Sequence, residues 1–405
     1  MEIIKGGVTA PKGFKASGIH VGLRRNVEKK DLALIYSDVL CNGAAVYTQN
    51  KIKGNPIYVT KEHLKNSKAQ AIIVNSANAN TFNGKEGLVN AYKMAEFAAN
   101  ALNIKKEDVL VASTGVIGEP LKINLIEENI DKLVDKLSKK GHMAAREAIM
   151  TTDMIKKEMT VSIQCSDKEV IVGGMAKGSG MIHPNMATVL GFITTDLDID
   201  EKLLHEALTS AVRKSFNRIS VDGQTSTNDM VMILANGKAK NKKIIEKNED
   251  YNKFLLALTY ICVELAKCVA KDGEGASKLI ECDVSGAKDE YTAEKIAKAV
   301  ITSTLVKTAI FGADANWGRI LCAIGCEDVD IDLEKIDVTF ESKKGYLEVC
   351  KNGVPLSFNE EKAKKVLGDD EISILIELNM GDERATAWGC DLTYEYVRIN
   401  GSYRS

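Results

Sequence analysis

Five stretches of helical periodicity, separated by short β-like runs, constrain the fold of this 405-residue chain more than any other feature. Ala91–Leu102, Leu125–Leu137, Glu201–Ile219, Asp250–Ala270 and Ala293–Phe311 space apolar residues by three and four, so each predicts a helix with one buried face. Between them lie Ala71–Asn75, Val109–Ser113, Val170–Gly174, Thr188–Thr194, Met230–Ala235 and Ile372–Leu378, all strand-like. Val338–Ser342 and Tyr346–Cys350 alternate about a Lys-Lys-Gly turn and predict a hairpin. Helix faces and short strands bury each other only in layers, so the chain reads as mixed α/β or α+β with some antiparallel pairing.

Composition removes several classes of function. Lys plus Arg is 54 against 56 Asp plus Glu, which leaves no basic excess to grip nucleic acid. The most apolar stretch, Phe254–Ala270, carries Glu264 and Lys267 and reads as a buried helix, not a membrane span. The first residues lack the zones of a signal peptide. Nine cysteines without regular spacing predict neither a disulfide framework nor a zinc site, and a reducing cytoplasm fits best. None of the five histidines has H-E-x-x-H spacing, so no metal is expected.

Small polar residues gather at the ends of the β-like runs. Asn75-Ser-Ala-Asn-Ala-Asn80, Ser113-Thr-Gly115, Ser220–Asp229, Asp272-Gly-Glu-Gly275 and Asp314–Arg319 each read singly as turns. Together they suggest a pocket lined by backbone N–H groups and small donors. Phosphate loops fail on spacing: Gly173 and Gly178 are followed by Ser179 where a Walker loop needs lysine, and G-x-G-x-x-G is absent from this loop. No nucleophile elbow is evident, and nothing nominates a Ser-His-Asp triad. His183, beside Pro184, reads as a loop residue.

The segment Met175–Thr188 runs from a β-like run through a glycine-rich turn to a second run that starts abruptly at Thr188. The ordinary reading is a β-branched residue opening a strand. The chemical reading is a scissile Ala187–Thr188 bond: the Thr188 hydroxyl takes the Ala187 acyl group, and water then releases the ester. Thr188 would be left with a free α-amine, of pKa about 8, as a base beside its own hydroxyl.

These motifs, in this order, resemble ornithine acetyltransferase, also called glutamate N-acetyltransferase, a family of the cyclic arginine pathway. The resemblance rests on Asn75–Asn80, Ala112–Gly118, Ile149–Asp153, Gly174–Ile182, Pro184–Thr188, Val221–Asp229, Asp272–Lys278, Asn316–Arg319 and the tail Asn400–Ser405. It implies a layered α-β-β-α sandwich with mixed sheets, in which two intertwined segments form one continuous fold. It implies self-cleavage into 1–187 and 188–405, with Thr188 as nucleophile, and assembly of the pieces as an α2β2 heterotetramer.

The same resemblance implies a ping-pong cycle: Thr188 takes acetyl from N2-acetylornithine, releases ornithine and passes acetyl to glutamate. Thr114 and Gly115 match the oxyanion-hole pair. Substrate contacts carry over to Thr151, Lys177, Thr188, Glu274, Asn400 and Ser405; the adjacent Thr151 and Thr152 offer two candidates for one contact, of which Thr151 is taken. Lys177 would pair a carboxylate and Glu274 an ammonium. No cofactor is implied, although some members accept acetyl-CoA as a second donor and no motif here decides that. Ala77 and Gln224 depart from an expected glycine and an expected acid. Two other readings stay open: a self-cleaving aminopeptidase or amidase of a related fold, and a binding protein without catalysis.

Overall fold

The run at Ala71–Asn75 lies within the strand Lys68–Asn75, and Val109–Ser113 forms a parallel strand beside it. Successive side chains of a strand point to opposite faces. Ala71, Ile73, Val109 and Val111 accordingly enter one buried cluster, with Ala91, Met94, Ala95 and Ala98 of the helix Gly84–Leu102. Ile72, Val74, Leu110 and Ala112 enter another, with Phe14, Phe192 and Met232. Burial on both faces is why these strands read as unbroken apolar runs.

The computed structural model describes residues 1–183 and 189–402 and resolves into two units. The first takes Met1–Gly178, the described residues up to Asn217, and Thr225–Leu265; the second takes Ser179–His183, Arg218–Gln224 and the described residues from Ala266 onward. The sheet of the first unit runs in the order Glu2–Ile3, Lys157–Cys165, Lys168–Lys177, Leu190–Thr195, Met230–Ala235, Leu32–Tyr47, Lys68–Asn75, Val109–Ser113, with Phe14–Ile19 also paired to Leu32–Tyr47. That of the second runs Val354–Pro355, Gly345–Lys351, Asp337–Ser342, Glu371–Glu377, Leu279–Ala287, Glu383–Cys390, Ile219–Ser220. Both sheets mix parallel and antiparallel pairs, so the fold is mixed α/β as expected.

Where prediction and structure differ, local chemistry explains it. Ala293–Phe311 is two helices, Glu290–Thr302 and Thr304–Phe311. Ser303 breaks them in extended backbone, and its hydroxyl caps the second by accepting from Val306 N. Leu125–Leu137 splits likewise into Ile123–Glu127 and Ile130–Asp135. The helix predicted to Ile219 ends at Arg213, and Ile219 joins a strand. The long strand Leu32–Tyr47 was not legible, because a register shift between Tyr36 and Cys41 disrupts its alternation. Phe254–Ala270 falls in the helix Glu249–Lys271, and among the described residues no helix is long and apolar enough to cross a membrane.

The bond Ala187–Thr188 lies outside the described residues. On its two sides, however, Lys168–Lys177 and Leu190–Thr195 pair antiparallel over six positions, from Val172↔Thr195 to Lys177↔Leu190. Each unit therefore draws residues from before and after that bond.

Candidate active site

The polar run after Lys68–Asn75 is a scaffold. Asn75 is fully buried; its amide donates to Asn78 O at 2.9 Å and its carbonyl accepts from Ser113 Oγ at 2.5 Å. Asn228 fastens the same place from another loop, donating to Ala79 O and Ser113 O at 2.5 and 2.9 Å. Buried amides are satisfied in this way because an unmade hydrogen bond there costs about 1–3 kcal/mol. The scaffold fixes the loop that opens at Thr114.

In that loop Thr114 N donates to Asn75 O and Val116 N to Ala77 O. Gly115 N, between them, donates to no partner among the described residues. Only glycine fits there: φ is +137°, and a Cβ would lie 2.1 Å from Ala77 C and 2.5 Å from Asn78 N. Ala77, which stands where a glycine was expected, sits at φ +74°, a left-handed position that glycine adopts without strain.

Lys177 ends its strand 8% exposed and donates from Nζ to Thr114 Oγ1 at 3.3 Å. An ammonium on the hydroxyl oxygen leaves the Thr114 O–H to point elsewhere and strengthens it as a donor. A hydroxyl and a backbone N–H on consecutive residues thus form a two-donor corner of the kind that stabilises an oxyanion.

Two acidic residues flank Lys177. Asp153 is buried; Oδ1 accepts from Lys157 Nζ at 2.8 Å and from Gly178 N at 2.7 Å, and Oδ2 accepts from Thr151 N at 2.9 Å. Burial alone would raise its carboxyl, but the charges of Lys177 and Lys157 and these hydrogen bonds hold it well below the usual carboxylate range. Thr151 is tied through Asp153 to the segment bearing Lys177. Asp229 is the opposite case. Burial pushes its carboxyl well above the ordinary range against Ser226 hydrogen bonding and the charge of Lys177, and its Oδ2 has no hydrogen-bond partner among the described residues. Sequence reading passed over both acids, although each closes a quoted motif and Lys157 stands four residues after Asp153.

The second unit brings Glu274 and Asn400 together. Glu274 is 8% exposed; its N–H donates to Ser179 O at 3.0 Å, and Oε2 accepts from Asn400 Nδ2 at 2.8 Å. Gly180 makes room, since a Cβ there would come within 2.4 Å of the Glu274 carboxyl. Asn400 belongs to the helix Tyr394–Gly401, capped by Thr393. Ala187, Thr188 and Ser405 lie outside the described residues. The first unit therefore assembles Thr114, Gly115, Thr151 and Lys177, and the second assembles Glu274 and Asn400.

Other nucleophiles fit poorly. All nine cysteines are free, and burial pushes Cys41 and Cys262 up to about 12 and Cys165 to about 11. His183 Nδ1 meets Ser220 Oγ at 3.1 Å, but Ser220 is 1% exposed and its hydroxyl donates to Ile182 O. Among the described residues no group of three or more His, Cys, Asp or Glu could hold a metal ion.

The ArgJ family model matches residues 15–405. The chain belongs to the ArgJ family. A relative from Caldanaerobacter subterraneus subsp. tengcongensis, named arginine biosynthesis bifunctional protein ArgJ, is 49% identical over the whole of both chains. Another from Clostridium acetobutylicum, ArgJ 1, is 50% identical over 97% of this chain and 96% of its own. The solved ArgJ of Bacillus halodurans aligns with TM-score 0.50 and 46% identity, over 98% of the solved chain and 52% of this one. Membership in the ArgJ family accords with the resemblance drawn from the motifs.

Proposed function

We propose that this ArgJ-family chain is an acetyltransferase of arginine biosynthesis, which moves acetyl from N2-acetylornithine to glutamate through an ester on Thr188. The observation that carries the proposal is the Thr114–Gly115 corner: an N–H without a partner among the described residues, next to a hydroxyl that receives a hydrogen bond from Lys177. Preorganised donors of this kind contribute about 2.7–4 kcal/mol each to an acyl-transfer transition state.

Maturation comes first. Thr188 Oγ attacks the Ala187 carbonyl carbon, the C–N bond breaks, and the hydroxyl proton passes to the departing nitrogen. Water then cleaves the ester, which gives an Ala187 carboxyl, a free hydroxyl and the α-amine. In turnover that amine takes the hydroxyl proton as Thr188 attacks the acetyl carbonyl, and returns it to the leaving amine of ornithine. Glutamate's amine then attacks the acetyl ester and restores the hydroxyl. The acetyl group passes from substrate to enzyme to substrate, so the cycle needs no cofactor; acetyl-CoA is a second donor for the first half.

Lys177 would receive a substrate carboxylate, and Glu274 with Asn400 a terminal ammonium. The length of the solved relative supports cleavage: 52% of 405 residues is about 211, beside 187 and 218 for the two pieces. Paired strands on the two sides of the bond would keep the pieces joined, as an α2β2 assembly in the cytoplasm requires.

The test is a denaturing gel with a transfer assay. The wild type should yield pieces of 187 and 218 residues, and Thr188→Ala only the intact 405-residue chain without turnover. A fully active, uncleaved chain would sink the proposal. Hydrolysis of acetylornithine with no acetyl captured by glutamate would favour an aminopeptidase or amidase instead.

A further inference from the structure

Met181–His183 is tied to Ser220–Asp222 more densely than a turn requires. Asp222 Oδ2 accepts from Met181 N at 2.7 Å, and Oδ1 accepts from Ile182 N at 3.0 Å. The Ile182 carbonyl accepts from Val221 N at 2.8 Å and Ser220 Oγ at 3.3 Å. A few residues earlier, Ser179 Oγ donates to Asp272 O at 2.7 Å, and Ser179 O accepts from Glu274 N. The segment is pinned at both ends within one unit.

Met181 is the unusual residue in it. Its φ is +57°, where side chains with a Cβ are strained, yet its side chain is 43% exposed. No burial of the methionine repays that conformation. The two Asp222 oxygens do, because in this turn the Met181 and Ile182 N–H groups both reach the one carboxylate.

The position of this turn gives it a use. Ile182 lies five residues before the Ala187 carbonyl. Transfer of an acyl group between neighbouring atoms needs the hydroxyl and carbonyl held close to their reacting geometry, and a short loop with a fixed entry samples fewer alternatives. We propose that Asp222 is a positioning residue for self-cleavage: its carboxylate clamps Met181 and Ile182 and fixes the path by which the chain enters the Ala187–Thr188 segment. The inference rests on the cleavage reading above and adds a residue to it.

The experiment follows freshly translated full-length chain on a denaturing gel over time. Asp222→Asn keeps size and some hydrogen bonding but not the charge that the Met181, Ile182 and Gln224 N–H groups face, and should slow the appearance of the two pieces by about tenfold or more. Its slowly matured material, once isolated, should have wild-type kcat and KM. Tyr396→Phe removes only a 3.3 Å hydroxyl contact to Asp222 Oδ2 and should cleave at the wild-type rate. Met181→Gly keeps the proposal testable if Asp222→Asn misfolds: glycine takes the left-handed turn without strain and leaves the clamp in place, so Tm should hold or rise and cleavage should keep the wild-type rate.

Wild-type cleavage by Asp222→Asn, or slowed cleavage by a stably folded Met181→Gly, overturns the inference. So does matured Asp222→Asn with kcat reduced in proportion to its cleavage rate, which would mark a general structural role. Absence of cleavage in the wild type would instead fail the underlying reading.

Discussion

Gly115→Ala places one methyl where the structure has least room. The added Cβ would sit 2.1, 2.4 and 2.5 Å from Ala77 C, Ala77 O and Asn78 N. All three are backbone atoms, so no side chain can swing aside. Reaching even 3.0 Å from Ala77 C demands a shift of about 0.9 Å, and alanine at φ +137° is strained besides. The bonds from Val116 N to Ala77 O and from Ala79 N to Val116 O would give first. A displacement of about 1 Å at a reacting group costs on the order of 100-fold, and loss of one oxyanion donor about 100- to 1,000-fold. We therefore expect kcat for acetyl transfer to fall by about 100- to 1,000-fold, with KM for acetylornithine little changed, since the donor acts on the transition state. Backbone strain should cost a further ~1–3 kcal/mol of stability. Steady-state transfer to glutamate, together with a thermal melt, measures both. If Gly115→Ala stays folded and keeps kcat within a few-fold of wild type, Gly115 N is not an oxyanion donor.

Three further outcomes follow from buried charges and polar contacts within each unit. Asp153→Ala removes the buried ion pair with Lys157 and the acceptor of two N–H groups, and should cost about 3–5 kcal/mol in chemical denaturation; a loss below about 1 kcal/mol would refute the pairing. Asp153 has a lowered folded pKa, so its contribution is present above the unfolded value of about 3.9 and disappears as pH falls through the folded one, whereas Asp229, raised, contributes below about 3.9 and loses that stability as pH rises through its folded pKa. Asp229→Asn should thus match wild type in Tm near pH 4 and exceed it increasingly toward higher pH; a variant that falls behind as pH rises would contradict the assignment. Asn400→Ala removes the 2.8 Å bond to Glu274 and should raise KM for the ornithine donor about tenfold with kcat nearly kept, a split readable from initial rates.

Much of the candidate site could be nominated from sequence because its residues lie in contiguous motifs. Ser113-Thr-Gly115 is a strand end, and the turn needs that glycine for a reason sequence can anticipate: glycine alone tolerates a positive φ in a crowded place. Asp153, Asp222 and Asp229 were quoted inside motifs yet given no role, because three carboxylates of the same type acquire different behaviour from what faces them. The helix that carries Asn400 was not legible, because an exposed eight-residue helix has little apolar periodicity to announce it; Thr393 and the contact with Glu274 fix it.

By itself, then, the sequence determined the class of fold, the order of its main elements and the chemical vocabulary of the site. Apolar periodicity and turn residues are local properties, and they act over distances that the chain itself sets. Tertiary structure decided what could not be local. It paired Lys168–Lys177 with Leu190–Thr195 on opposite sides of the Ala187–Thr188 bond and set Lys177 against Thr114, 63 residues away. It also left one buried carboxylate ionised among lysines and another short of a partner. Burial and neighbouring charge set protonation and donor strength, and neither exists until the sheet has formed.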